Sequence, residues 1–118
     1  MYEIDLIKNT KLAKQLGGPP IFLDGYLHRV EMNHETLVLD IKILSQNNPR
    51  LSRDSLVQLK LIGLVRLQFD FPSIKNQLMI IHDLDIRKED RQLHMILESN
   101  TGEINEVWFE RIELMHLN

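Results

Sequence analysis

The segment Val57 to Phe71 constrains this chain more than any other. Its odd positions read Val57, Leu59, Leu61, Gly63, Val65, Leu67, Phe69 and Phe71, and its even positions include Gln58, Lys60, Arg66, Gln68 and Asp70. Side chains on a strand alternate between two faces, so this pattern is a strand with one apolar and one wet face. Fifteen residues in one straight strand would span roughly 50 Å, far beyond the usual five or six residues. The break falls at Gly63, where the apolar series lacks a side chain and a glycine permits a bend at little steric cost. Two strands are therefore expected, at 57–61 and 65–70, joined at Ile62-Gly63-Leu64.

The same period of two runs through most of the chain. Thr36 to Leu44 places Leu37, Leu39, Ile41 and Ile43 inward and Asp40 and Lys42 outward. It follows Ile21 to Met32 across a turn at Asn33-His34-Glu35, which predicts a hairpin. In the earlier strand Tyr26, His28, Val30 and Met32 share one parity, and Leu27, Arg29 and Glu31 the other. Ser45 to Ser55 is polar and reads as a crossover loop of about eleven residues. From Leu78 to Ile86 the parity is mixed: Leu78, Ile80, Leu84 and Ile86 fall in one phase, Met79 and Ile81 in the other, so burial on both faces is expected for the first half. Arg87 to Arg91 is a charged turn, Gln92 to Glu98 sends Leu93, Met95 and Leu97 inward, and Ser99-Asn100-Thr101-Gly102 is a hairpin turn. From Ile104 to Leu117 the pattern changes phase, which a bulge near Glu110-Arg111 would explain.

The helical signal is confined to residues 4–16. Asn9 or Thr10 caps a short helix over Lys11 to Leu16, and Gly17-Gly18-Pro19-Pro20 stops it. With seven or eight sequential strands and no strand–helix–strand alternation, the expected fold is mainly β: an antiparallel β-sandwich or a strongly curled antiparallel sheet, with one short N-terminal helix. The 118 residues suit a single domain over 1–118, which buries roughly two-thirds of the surface its unfolded chain exposes.

Composition narrows the chemistry. No cysteine is present, which excludes disulfides, thiolate metal sites and cysteine nucleophiles. A net charge of −3 with no basic stripe argues against nucleic acid. The start Met1-Tyr2-Glu3-Ile4-Asp5 is acidic where a secretory signal is basic, and no apolar run reaches the length of a membrane span, so a cytoplasmic protein with no membrane partner is expected. Exposed edge strands in such a sheet leave a homodimer open.

Candidate sites are few. Asp83 and Asp85 share a strand face about 7 Å apart, but His82 points the opposite way, so no cation site is expected there. His28, in phase with Tyr26 and Val30, reads as a part-buried, hydrogen-bonded histidine, and His34 as an exposed turn residue. His94 and His116 form no zinc-type pair with the others. There is no Gly-x-Ser-x-Gly elbow, and Ser45, Ser52, Ser55, Ser73 and Ser99 all fall in turns, so no catalytic residue, metal or cofactor is assigned and the chain is expected not to be an enzyme. Glu103, Glu106, Glu110 and Glu113 flank Trp108 in the last segment. Acids around a tryptophan make a protein-docking patch if Trp108 is exposed, because aromatic anchors dominate interface energies; otherwise Trp108 is core. A small-ligand site, for a carbohydrate for instance, is the alternative, with seven aromatic residues (four Phe, two Tyr, one Trp) to line it.

The order of Gly17-Gly18-Pro19-Pro20-Ile21-Phe22-Leu23-Asp24, then Val57 to Phe69 with Gly63 at its centre, then Asn76, Leu78, Ile81 and His82-Asp83-Leu84-Asp85-Ile86, resembles the immunity protein 50 family of bacterial polymorphic-toxin systems. The likeness runs from Pro20 to Ile86. Where such families often carry a histidine before the first aspartate, this chain has Leu23. The resemblance implies a small cytoplasmic protein that protects its producer by binding a cognate toxin, with no catalytic residues. If that toxin is basic, Asp83, Asp85, Glu106, Glu110 and Glu113, with Trp108, are the expected partner-binding residues.

Overall fold

The computed structural model describes residues 14, 16, 20–68 and 79–117. Eight strands make up one sheet: β1 (Tyr26–Asn33), β2 (Thr36–Ile43), β3 (Ser55–Ile62), β4 (Arg66–Gln68), β5 (Met79–Glu89), β6 (Gln92–Ser99), β7 (Ile104–Phe109) and β8 (Arg111–His116). Their order is β4-β7-β6-β5-β1-β2-β3-β8, and every neighbouring pair is antiparallel. The expected antiparallel β fold is therefore present. Of the expected helix over Lys11 to Leu16, only Lys14 and Leu16 are within the described residues; both are helical, and Leu16 packs on the core.

The connections show why the sheet curls. Only Gly63, Leu64 and Val65 separate β3 from β4, and only Glu110 separates β7 from β8, yet each pair joins an edge strand to the strand next to the opposite edge. The ends must therefore approach one another. At that corner the amide of Glu110 donates to the Ile62 carbonyl (3.0 Å) and that of Val65 to the Trp108 carbonyl (2.8 Å), so the β3–β8 and β4–β7 ladders form one ribbon bent in the middle. Gly63 sits at the bend with a φ of +76°, a conformation that is expensive for any residue with a Cβ. The expected break at Gly63 and phase change at Glu110 are two halves of this single feature.

Two four-stranded halves result, β4-β7-β6-β5 and β1-β2-β3-β8, joined where Tyr26 and Leu27 of β1 pair with Ile80 and Met79 of β5. Their inner faces share one core. Leu37, Leu39, Ile41 and Ile43, and across from them Val57, Leu59 and Leu61, are fully buried, as are Met95, Leu97, Val107 and Phe109 of the other half. Each contributes about 1.5–3 kcal/mol of transfer free energy.

Three expectations are corrected by single inserted residues or by lateral packing. The β1–β2 register shifts between Leu27 and Arg29, and this bulge turns His28 out to solvent instead of leaving it part-buried. The β5–β6 register shifts between Ile81 and Asp83. The bulge at His82 changes the inward set from Met79 and Ile81 to Leu84 and Ile86, and so accounts for the mixed parity without full burial of Ile80. Asp40 faces outward as expected but is buried, covered by Arg29 Nε at 2.7 Å and Gln58 Nε2 at 2.9 Å. The loop from Ser45 is also more than a crossover. Buried Asn48 accepts from the Ile21 amide (2.8 Å) and donates to the carbonyls of Ile21 (3.0 Å) and Leu44 (2.9 Å), which pins the segment before β1 to the end of β2.

Candidate functional site: the outer face of the β4-β7-β6-β5 half

Residues directly opposite on antiparallel strands share a face, with Cβ atoms about 4.5–5.5 Å apart. The turn Ser99–Gly102 sets β6 against β7, with the Ser99 amide on the Glu103 carbonyl (2.9 Å) and Gly102 at φ +91°. The two-residue turn Asp90-Arg91 sets β5 against β6, with Asp90 at φ +54°. Across the outer face these turns align Arg66, Trp108, His94 and Arg87 in one row, and Gln68, Glu106, Ile96 and Asp85 in the next. A third row holds Ile104, Glu98 and Asp83.

The first two rows form a layered stack. The His94 and Trp108 rings lie 4.3 Å apart between centroids and 10° from parallel. The Arg66 guanidinium carbon sits 4.8 Å from the Trp108 centroid, within cation–π range. His94 Nδ1 is 2.7 Å from Glu89 Oε1, and Nε2 is 3.1 Å from Glu106 Oε1. With its amide oriented to satisfy its neighbours, Gln68 donates to Glu106 Oε2 (3.2 Å) and accepts from Arg66 Nη2 (2.7 Å). Trp108 is therefore neither core nor loose. It is half-buried on the outer face, held on one side by a ring with both nitrogens engaged and on the other by a guanidinium. With both nitrogens engaged, the His94 ring is fixed in place against Trp108.

Asp85 is buried beneath this face, with Arg87 Nε 2.7 Å from its Oδ2. Burial alone would raise its carboxyl pKa; hydrogen bonding and positive charge, the Arg87 guanidinium included, outweigh that and hold it below the ordinary carboxylate value. The third row differs. Asp83 and Glu98 face each other directly, and neither forms an ion pair among the described residues. Like charges directly opposite destabilise a sheet. Beside them Ile104 is 60% exposed.

Of the six expected partner-binding residues, the fold gathers Asp83, Asp85, Glu106 and Trp108 on this face, with Asp85 covered instead of exposed. Glu110 lies at the corner, its side chain against Gly63. Glu113 is carried past the bend onto the other half, opposite Lys60. Arg66, Glu89 and His94 are site residues that strand periodicity alone does not single out. The hairpin turn at Ser99–Gly102 was the available signal, because counting back from it on both strands sets His94 opposite Trp108. Among the described residues no three His, Asp or Glu side chains gather closely enough to hold a metal ion, and no helix is long and apolar enough to cross a membrane. The chain matches no family model, no curated protein and no solved structure.

Proposed function

We propose that this chain is a non-enzymatic immunity protein of the cytoplasm, which neutralises a cognate bacterial toxin by binding it with the outer face of β4-β7-β6-β5. The observation that carries this reading is the third row. Asp83 and Glu98 are set against each other with no ion pair to either among the described residues, beside an exposed Ile104. That arrangement weakens the free domain, and a basic partner surface relieves the repulsion and covers the isoleucine. The neighbouring stack supplies what an interface centre needs: an aromatic anchor whose position is already paid for within the free protein.

The test is protection in cells. The cognate toxin domain, sought in the reading frame next to this gene, is co-expressed with the wild-type chain and with Asp83→Lys/Glu98→Lys. Both substituted positions are exposed or half-exposed, so the fold should survive. Loss of protection with a retained circular dichroism spectrum supports the docking face; undiminished protection rejects it. Asp85, another of the expected partner-binding residues, is unsuited to this test, because reversing a buried, paired carboxylate unsettles the fold as well.

The alternative, a small-ligand domain, draws on a different observation: an open cleft of about 950 Å³ at the bent corner.

A further inference from the structure

The cleft lies between the Asp90-Arg91 turn and the Glu110-Arg111 bend, and Val65 forms part of its wall. A smaller hollow of about 410 Å³ adjoins it and adds Lys88. Both positively charged rims stand on well-defined backbone. Arg91 is in a two-residue turn closed by the Glu89–Gln92 pair. Arg111 is paired with Ile62 immediately after the bend.

Arg29 is on Asp40 and Arg87 on Asp85, while Arg66 lies over Trp108. The side chains of Arg91, Arg111 and Lys88 form no hydrogen bond or ion pair among the described residues. Two guanidiniums with no side-chain partner among the described residues therefore line this cleft. Two guanidiniums facing a common space suit a phosphate, which each can grip through paired N–H groups. Asp90 and Glu110 share the walls. A carboxylate repels a bare anion but accepts hydrogen bonds from hydroxyl groups, so these two favour a ligand that carries hydroxyls away from its charge. Val65, 59% exposed, offers an apolar surface for the C–H face of a ring.

We infer that this cleft binds a small hydroxylated phosphate monoester of the sugar-phosphate class, with the phosphate between Arg91 and Arg111 and the hydroxyls toward Asp90 and Glu110. This does not rest on the toxin-docking reading, whose acids lie elsewhere on the half.

The test is amide chemical-shift titration of the full chain at fixed ionic strength with glucose 6-phosphate, inorganic phosphate and glucose. Glucose 6-phosphate should give saturable shifts at residues 90–92 and 110–112, with an affinity at least tenfold above that for inorganic phosphate. Arg91→Ala/Arg111→Ala should weaken it at least tenfold, and Arg91→Lys/Arg111→Lys should fail to restore it. Unchanged shifts elsewhere in the spectrum establish that these variants are folded. Absence of saturable shifts, equal affinity for glucose 6-phosphate and inorganic phosphate, or unaltered binding by the alanine variant overturns the proposal. The alanine variant should keep its protection against the toxin, so failure here and failure of the docking reading are separately visible.

Discussion

Gly63→Ala should separate two physical components of the bent corner. Gly63 has a φ of +76°, and a residue with a Cβ loses about 1–2 kcal/mol in that left-handed conformation. A Cβ built there also comes within 2.9 Å of Glu110 Cγ and Cδ and 3.0 Å of Glu110 Cβ. Forcing an extra methyl into such a contact costs about 1–2 kcal/mol more when the neighbour can swing partly aside. The total, about 2–4 kcal/mol, is a large part of the 5–15 kcal/mol typical of a whole domain. Glu110→Ala removes Cγ and Cδ but leaves the backbone conformation alone. In the double variant only the contact with Cβ at 3.0 Å is left, so the loss should fall by about 1 kcal/mol, which is the coupling, while about 1–2 kcal/mol of backbone strain remains. Urea denaturation followed by Trp108 fluorescence measures all three variants, since Trp108 is the sole tryptophan and is stacked on His94. A Gly63→Ala variant within about 0.5 kcal/mol of wild type, an ordinary surface-substitution effect, would refute the corner as described. Equal losses in the single and double variants would refute the contact with Glu110.

Three further outcomes follow from the same geometry. His94→Phe keeps a ring against Trp108 but withdraws both ring nitrogens from Glu89 and Glu106; stability should fall by about 1–3 kcal/mol in urea, and an effect below about 0.5 kcal/mol would mean that the two contacts are not formed in solution. Asn48→Ala leaves the Ile21 amide and carbonyl unsatisfied; it should cost about 2–4 kcal/mol and speed hydrogen exchange at Ile21, and unchanged exchange would contradict the pinning. The Asp85 carboxyl is held below its ordinary value in the folded chain, so its contribution to stability is complete above the unfolded pKa, roughly 4, and is lost as pH falls through the folded one. The stability of Asp85→Asn should accordingly vary less steeply with pH below about 4 than that of wild type, and parallel curves would contradict this.

What the chain discloses in one dimension is whatever depends on neighbouring residues. The β2 pattern is legible because Leu37, Leu39, Ile41 and Ile43 alternate without interruption. The Ser99–Gly102 turn and the Gly63 break are legible because glycine marks them. The bulges at His28 and His82 are not, since an inserted residue is defined by its partner strand and neither histidine is a turn-forming type. For the same reason Asp40 and Asp85 read as surface carboxylates: the arginines and amide that cover them come from adjacent strands or lie two residues along the same one. Half of the site followed suit. Asp83, Glu106 and Trp108 stand out by type, but the stack that fixes Trp108 needs His94 and Arg66, which reach it only through the pairing of three strands. Glu113 looked equivalent to Glu106 until the bend at Glu110 sent it to the other half.

The central claim is that a stiff β face grips another protein, and a hydrogen-exchange footprint tests it most directly. The chain is compared free and in complex with the proposed cognate toxin domain. The account predicts slowed exchange over residues 83–85, 96–98 and 104–108, with the outer face of β1-β2-β3-β8 unchanged. A footprint centred on β1-β2-β3-β8, or no footprint at toxin concentrations that saturate protection, would contradict it.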